Sequence, residues 1–179
     1  MTYLHDPYIA LPSLLGLSLL LLSAAWHKLR APQAFIQVLR SYGINTGERW
    51  LARLIPMAET TLAIALLCPP SRAVAAIACA TLLMLYAALM SYTLWQGKQI
   101  ADCGCSLGNS RSAVSAALVW RNLLLTLMAG NLALATTPRQ LGTFDLAAML
   151  VITLLGITFY VLANTLIGTH HSTRELFHD

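Results

Sequence analysis

Apolar residues gather into five long runs, over about residues 8–29, 51–69, 73–95, 113–136 and 144–167, separated by short polar stretches. A hydrocarbon core roughly 30 Å thick takes about 20 helical residues at a 1.5 Å rise. The third, fourth and fifth runs meet that length outright, and the first does so with Tyr8 and Trp26 as its interfacial anchors. The second run carries Pro56 and Glu59, so it is expected as a kinked span, with a partly re-entrant piece as the alternative. Between the first two runs, Pro32 opens a segment over 32–42 in which Phe35, Val38, Leu39 and Tyr42 recur at helical spacing while Gln33, Gln37 and Arg40 take the other face. Gly43 is placed to end it. With Lys28, Arg30, Arg40, Arg49 and Arg53 around it, this segment reads as an amphipathic helix in the headgroup region, against the alternative of a solvated loop. The expected fold is an all-α membrane protein: a bundle of about five transmembrane helices with an interfacial amphipathic helix after the first, in a single domain over 1–179.

Asp6 stands where a signal peptide would carry basic residues, and Ser23-Ala24-Ala25 is a weak imitation of a cleavage site, so the first run is expected to be retained. Composition agrees with an embedded chain. Of the 179 residues, 58% are hydrophobic and 10% charged, against roughly 45–50% and about 25% in soluble domains. That excludes an ordinary water-soluble fold and intrinsic disorder alike. The net charge of +4 comes from eleven basic residues set between apolar runs, which suits lipid phosphates rather than nucleic acid. If the amino terminus is outside, nine of those eleven fall on the cytoplasmic side and Arg72 and Arg139 on the other. This arrangement puts the segment 96–112 on the cytoplasmic face.

That segment holds the most specific chemistry in the chain, Asp102-Cys103-Gly104-Cys105. Thiols at i and i+2 can approach the Cα separation of roughly 4.4–6.8 Å that a disulfide requires, but in a small ring whose strain makes the bond easy to reduce. Gly104 lets the backbone turn between the two states. Asn109 or Ser110 can cap the following helix, whose N-terminal partial charge favours a thiolate, as do Lys98 and Arg111, while Asp102 opposes it. A redox pair, a soft-metal site and a structural disulfide all remain open for these two cysteines. Cys68 and Cys79 are expected at depths too different for direct bonding, with Cys79 acting as a small packing residue among Ala78 and Ala80.

Glu59 is the carboxylate deepest in an apolar run. A charged group at mid-bilayer costs at least ~2.5 kcal/mol on insertion scales, so Glu59 must be neutral or partnered. Lys28 and Arg121 are the candidate partners, with Asn122 able to add hydrogen bonds; an interfacial position for Glu59 is the alternative. The five histidines sit at run ends or in the tails, so a histidine metal site is not expected, nor is a resident cofactor.

Ala24-Ala25-Trp26-His27-Lys28-Leu29, Phe35, Tyr42-Gly43, Pro56-Met57-Ala58-Glu59, Asp102-Cys103-Gly104-Cys105 and Arg121-Asn122 occur in an order that resembles the MauE family of methylamine utilisation proteins, within the wider MauE and DoxX group. The likeness runs from about Leu14 to Leu134. Members of that family commonly follow the Cys-Gly-Cys with an aromatic residue and a glycine, whereas this chain has Ser106-Leu107-Gly108. The resemblance implies a bacterial inner-membrane accessory protein for maturation of the disulfide-rich small subunit of periplasmic methylamine dehydrogenase, acting with a thioredoxin-like, MauD-like partner. It further implies that Cys103 and Cys105 exchange disulfides with that partner, while Lys28, Glu59, Arg121 and Asn122 shape the bundle around them. A periplasmic client wants the cysteine segment outside, and the loop charges want it inside. Either the basic residues of the first loop face the periplasm for a functional reason, or reducing power is relayed across the membrane with Cys68 at the far face.

Overall fold

The computed structural model describes residues 7–97, 116–134 and 142–176. Cys103, Cys105, Asp102 and Gly104 lie outside the described residues. Among those described there are six α-helices and no strand: α1 (Pro7–Arg30), α2 (Pro32–Ser41), α3 (Glu48–Leu67), α4 (Arg72–Trp95), α5 (Ala116–Leu132) and α6 (Thr143–Leu176). The segments Ile9–Arg30, Glu48–Leu67, Pro69–Trp95 and Thr143–Ala163 are each long and apolar enough to cross a membrane, and α5 is a shorter apolar helix. The chain is a multi-pass membrane bundle.

The second span is one continuous helix through Pro56, beginning at Glu48 rather than near residue 51, and no re-entrant break interrupts it. Pro56 is buried, and Thr60 donates its hydroxyl to the Pro56 carbonyl at 2.8 Å. Proline also sets where this helix stops. Cys68 precedes Pro69 and is driven into the extended region, φ −84° and ψ 119°, which terminates α3. A short 3-10 turn over Pro69–Ser71 then reverses the chain into α4.

α2 has ten residues, about 15 Å of helix, too short to cross. It buries Phe35, Ile36 and Leu39 against Ala52 of α3, with Val38 partly covered, and leaves Gln33, Gln37 and Arg40 exposed. Gly43 ends it as its position in the sequence suggests. At φ +86° this glycine adopts the left-handed conformation, its N–H bonds to the Arg40 carbonyl, and the Ile44 N–H bonds to that of Leu39. This is a Schellman closure, and Ile44 packs back on the same apolar cluster.

The bundle core is built from small residues. Ala63 of α3, Ala76 and Cys79 of α4, and Ala129 of α5 are fully buried beside Leu17 and Leu21 of α1 and Leu66 of α3. Without hydrophobic pressure inside lipid, helices associate by close van der Waals contact, which such side chains permit. Cys68 caps α3 at an exposed position while Cys79 sits in this core, and both are free thiols. The tail from His170, polar in sequence, continues α6 as helix to Leu176. The antiparallel order brings the end of α1, all of α2, the start of α3, the end of α4 and the start of α5 to one end of the bundle.

Candidate functional site

Lys28 lies in the last turn of α1. Helical side chains tilt toward the helix N-terminus, so this lysine reaches back into the bundle instead of out to the headgroups. Glu59 stands eleven residues into α3, about 16 Å along its axis. The two meet in a salt bridge between Lys28 Nζ and Glu59 Oε1, with side-chain exposures of 2% and 1%. Tyr86 of α4 donates its hydroxyl to the same Oε1 at 2.8 Å. Lys28 Nζ is 3.5 Å from the Tyr86 oxygen, 5.1 Å from the Tyr86 ring centroid and 5.2 Å from that of Phe35. The ammonium is therefore held by one carboxylate and two aromatic faces, from three neighbouring helices.

This arrangement answers the cost of burying charge. Desolvating an ion pair is offset only when the geometry is good and further hydrogen bonds satisfy the remaining atoms, and cation–π contact adds about 2 kcal/mol or more where water is excluded. One atom is left out. Glu59 Oε2 is buried and accepts no hydrogen bond among the described residues.

Glu59 also lines a small cavity, with water-accessible space of about 40 Å³, bounded by α1, α3, α4, α5 and α6. Arg121 and Asn122 of α5 and Tyr160 of α6 contribute to its wall. The Arg121 guanidinium lies 5.5 Å from the Tyr160 ring centroid. Buried Asn122 donates to the Leu118 carbonyl at 3.1 Å and approaches Met90 Sδ at 3.5 Å, tying α5 to α4. Among the described residues no cluster of three or more His, Cys, Asp or Glu could hold a metal ion.

Four residues singled out from sequence thus come together: Lys28 and Glu59 as the pair, Arg121 and Asn122 on the cavity beside it. Glu59 is buried inside the bundle, and its salt bridge is with Lys28 of α1. Sequence reasoning missed Tyr86 and Tyr160. The available signal was position, because both hydroxyls fall well inside apolar runs, whereas interfacial tyrosines sit at the ends. Lys28 in turn leaves the set of basic residues facing headgroups, and Arg121 lines the interior, so two of the nine charges that set the orientation do not act as loop charges.

The fold and this site define a polytopic membrane protein organised about a buried Lys–Glu–Tyr cluster. Residues 6–135 match the pattern of the methylamine utilisation protein MauE family. The chain is 35% identical over 136 residues to the methylamine utilization protein MauE of Paracoccus denitrificans, covering 75% of this chain and 72% of that one. It is 32% identical over 149 residues to the protein of that name from Methylophilus methylotrophus, covering 82% and 77%, and 32% identical over 152 residues to that of Methylorubrum extorquens, covering 82% and 81%. The chain belongs to the MauE family. No solved structure matches it.

Proposed function

We propose that this chain is a thiol-disulfide accessory protein of the bacterial inner membrane that serves methylamine utilisation. In this reading Cys103 and Cys105 exchange disulfides with a thioredoxin-like, MauD-like partner, and the client is the small subunit of periplasmic methylamine dehydrogenase. The observation that carries the reading is the Cys-Gly-Cys sequence inside the stretch that matches the family. Exchange needs an attacking thiolate and a labile disulfide, and a pair one residue apart supplies both in a single turn. Asp102 and Gly104 shape that turn; Lys28, Glu59, Arg121 and Asn122 hold the helices that flank it.

The cysteine segment faces the periplasm in this reading. With Lys28 and Arg121 counted as interior, the opposing charge bias falls on Lys98, Arg111, Arg174 and the four first-loop arginines around α2, and those four then meet headgroups or the partner on the periplasmic side.

Replacing Cys105 with Ser is expected to trap a mixed disulfide between Cys103 and the thioredoxin-like partner, visible as a reducible adduct on non-reducing gels. An impermeant thiol reagent is expected to label the pair in intact spheroplasts. If the doubly substituted Cys103→Ser/Cys105→Ser protein matures the client normally and no adduct forms, the chain is a scaffold and not an exchanger.

A further inference from the structure

We propose that the cavity beside Glu59 is a water-binding site, occupied by about three molecules that supply the hydrogen bonds Glu59 Oε2 lacks. Three observations carry it. The oxygen belongs to a side chain 1% exposed and has no hydrogen-bond partner among the described residues. An unsolvated carboxylate oxygen inside a bilayer is costly, and burial of this kind is met by ordered water. The same carboxylate borders a cavity whose wall also carries Tyr86, Arg121, Asn122 and Tyr160, which offers the two to four polar partners an internal water needs.

Size decides the occupant. The space of about 40 Å³ exceeds the 10–15 Å³ that one water requires and falls far short of the roughly 150 Å³ in which an apolar cavity takes up a benzene ring. The space is too small for a ring-bearing ligand, and the carboxylate, phenol, guanidinium and amide groups within an otherwise apolar lining give water its partners. The groups facing Glu59 are Lys28 from α1, the Phe35 ring from α2 beyond it, Tyr86 from α4, Arg121 and Asn122 from α5 and Tyr160 from α6. Water on Oε2 completes the shell of the carboxylate on the side the lysine does not reach, and joins α5 and α6 to the pair through solvent.

The site is independent of thiol chemistry, and so is its test. The chain has three glutamates, Glu48, Glu59 and Glu175. In bilayer-reconstituted full-length protein carrying ¹³C-glutamate, water-edited solid-state NMR reads polarisation passing from water protons to each carboxyl. The Glu59 signal is assigned by its loss in Glu59→Gln. Water is expected to polarise Glu59 on the time scale of surface Glu48 despite its burial. Ala24 lines the cavity, and Ala24→Leu fills it. That variant is expected to lose the transfer to Glu59 while nitrogen–carbon recoupling still detects Lys28 against the carboxyl; Leu125→Phe, from the opposite wall, gives the same reading if the first variant does not fold. Absence of transfer to Glu59 in the parent protein overturns the proposal, as does transfer that survives filling. Cys103→Ser/Cys105→Ser protein is expected to give the parent result whether or not the exchange function holds.

Discussion

The bundle of α1, α3, α4 and α5 differs from α6 in how it is held. The first region buries charge and small side chains together: Lys28, Glu59 and Asn122 inside, with Ala63, Ala76, Cys79 and Ala129 at the contacts. α6 is the longest helix, at 34 residues, yet within its candidate span only 11% of residues are buried, against 28–33% for the other three spans. Met149 and Thr153 are its buried positions among the described side chains, and Phe159, Leu154 and Leu155 point outward. Lipid satisfies an apolar helix as well as another helix does, so α6 needs few protein contacts. A buried ion pair has no such alternative solvent, and its three helices are locked to each other. The stability of the molecule should therefore be concentrated in α1, α3, α4 and α5 and not in α6.

The sharpest way to break this contrast is to remove one charge. Glu59→Ala leaves the Lys28 ammonium buried and uncompensated, for which a loss of about 3–5 kcal/mol is expected in denaturant unfolding from micelles. Replacing both partners with apolar residues, Lys28→Met with Glu59→Leu, should recover much of that loss, so the double-mutant cycle will show strong coupling. If Glu59→Ala unfolds like Arg40→Ala, which loses an exposed surface bridge to Glu48, the buried pair does not organise the bundle.

Tyr86→Phe keeps the ring under Lys28 and deletes one donor to the carboxylate. Hydrogen bonds to charged groups contribute about 1.5–3 kcal/mol, and a loss in that range is expected, measured in the same unfolding assay. Overpacking sharpens the comparison from the apolar side. Ala76→Leu forces a larger side chain into a position with no exposed surface and should cost about 1–3 kcal/mol, whereas Leu155→Ala on the outward face of α6 should leave unfolding unchanged within error.

How far the sequence reveals these two regions follows from what each kind of residue signals. Lys28 and Glu59 were readable because a charge near or inside an apolar run must be explained, and few charges were available to explain it. The small-residue contacts of α4 were partly readable from Ala78-Cys79-Ala80. Tyr86 was not, since one tyrosine among apolar residues is equally suited to lipid, core or interface, and only the fold brings it to Glu59. Hydropathy also misplaced helix ends. Glu48, Arg49 and Trp50 form the first turn of α3 outside the apolar run, where Glu48 complements the helix dipole. The last turns of α6 are polar yet helical, because hydropathy marks where a helix meets lipid and not where its hydrogen bonds stop. The cysteine pair, the plainest chemical feature of the sequence, lies outside the described residues, so its role stands on the family and on the experiments above.

The smallest effect tests the seam between the two regions. Tyr160 of α6 faces the Arg121 guanidinium of α5 across the cavity. Cation–π contacts range from about 0.5–1 kcal/mol when exposed to about 2 when desolvated. Tyr160→Leu preserves apolar bulk and removes the ring, so a loss near 1 kcal/mol is expected if α6 is fastened at this point. Arg121→Gln should lose a similar amount, and the two together little more than either alone, because both act on one contact. Proteolysis of α6 in micelles offers a second reading, since a helix with few buried residues should be cleaved faster once its contact with Arg121 is gone. Additive losses in the double variant would mean that α6 is held elsewhere along α1, and the cavity wall it supplies would then be incidental to how it packs.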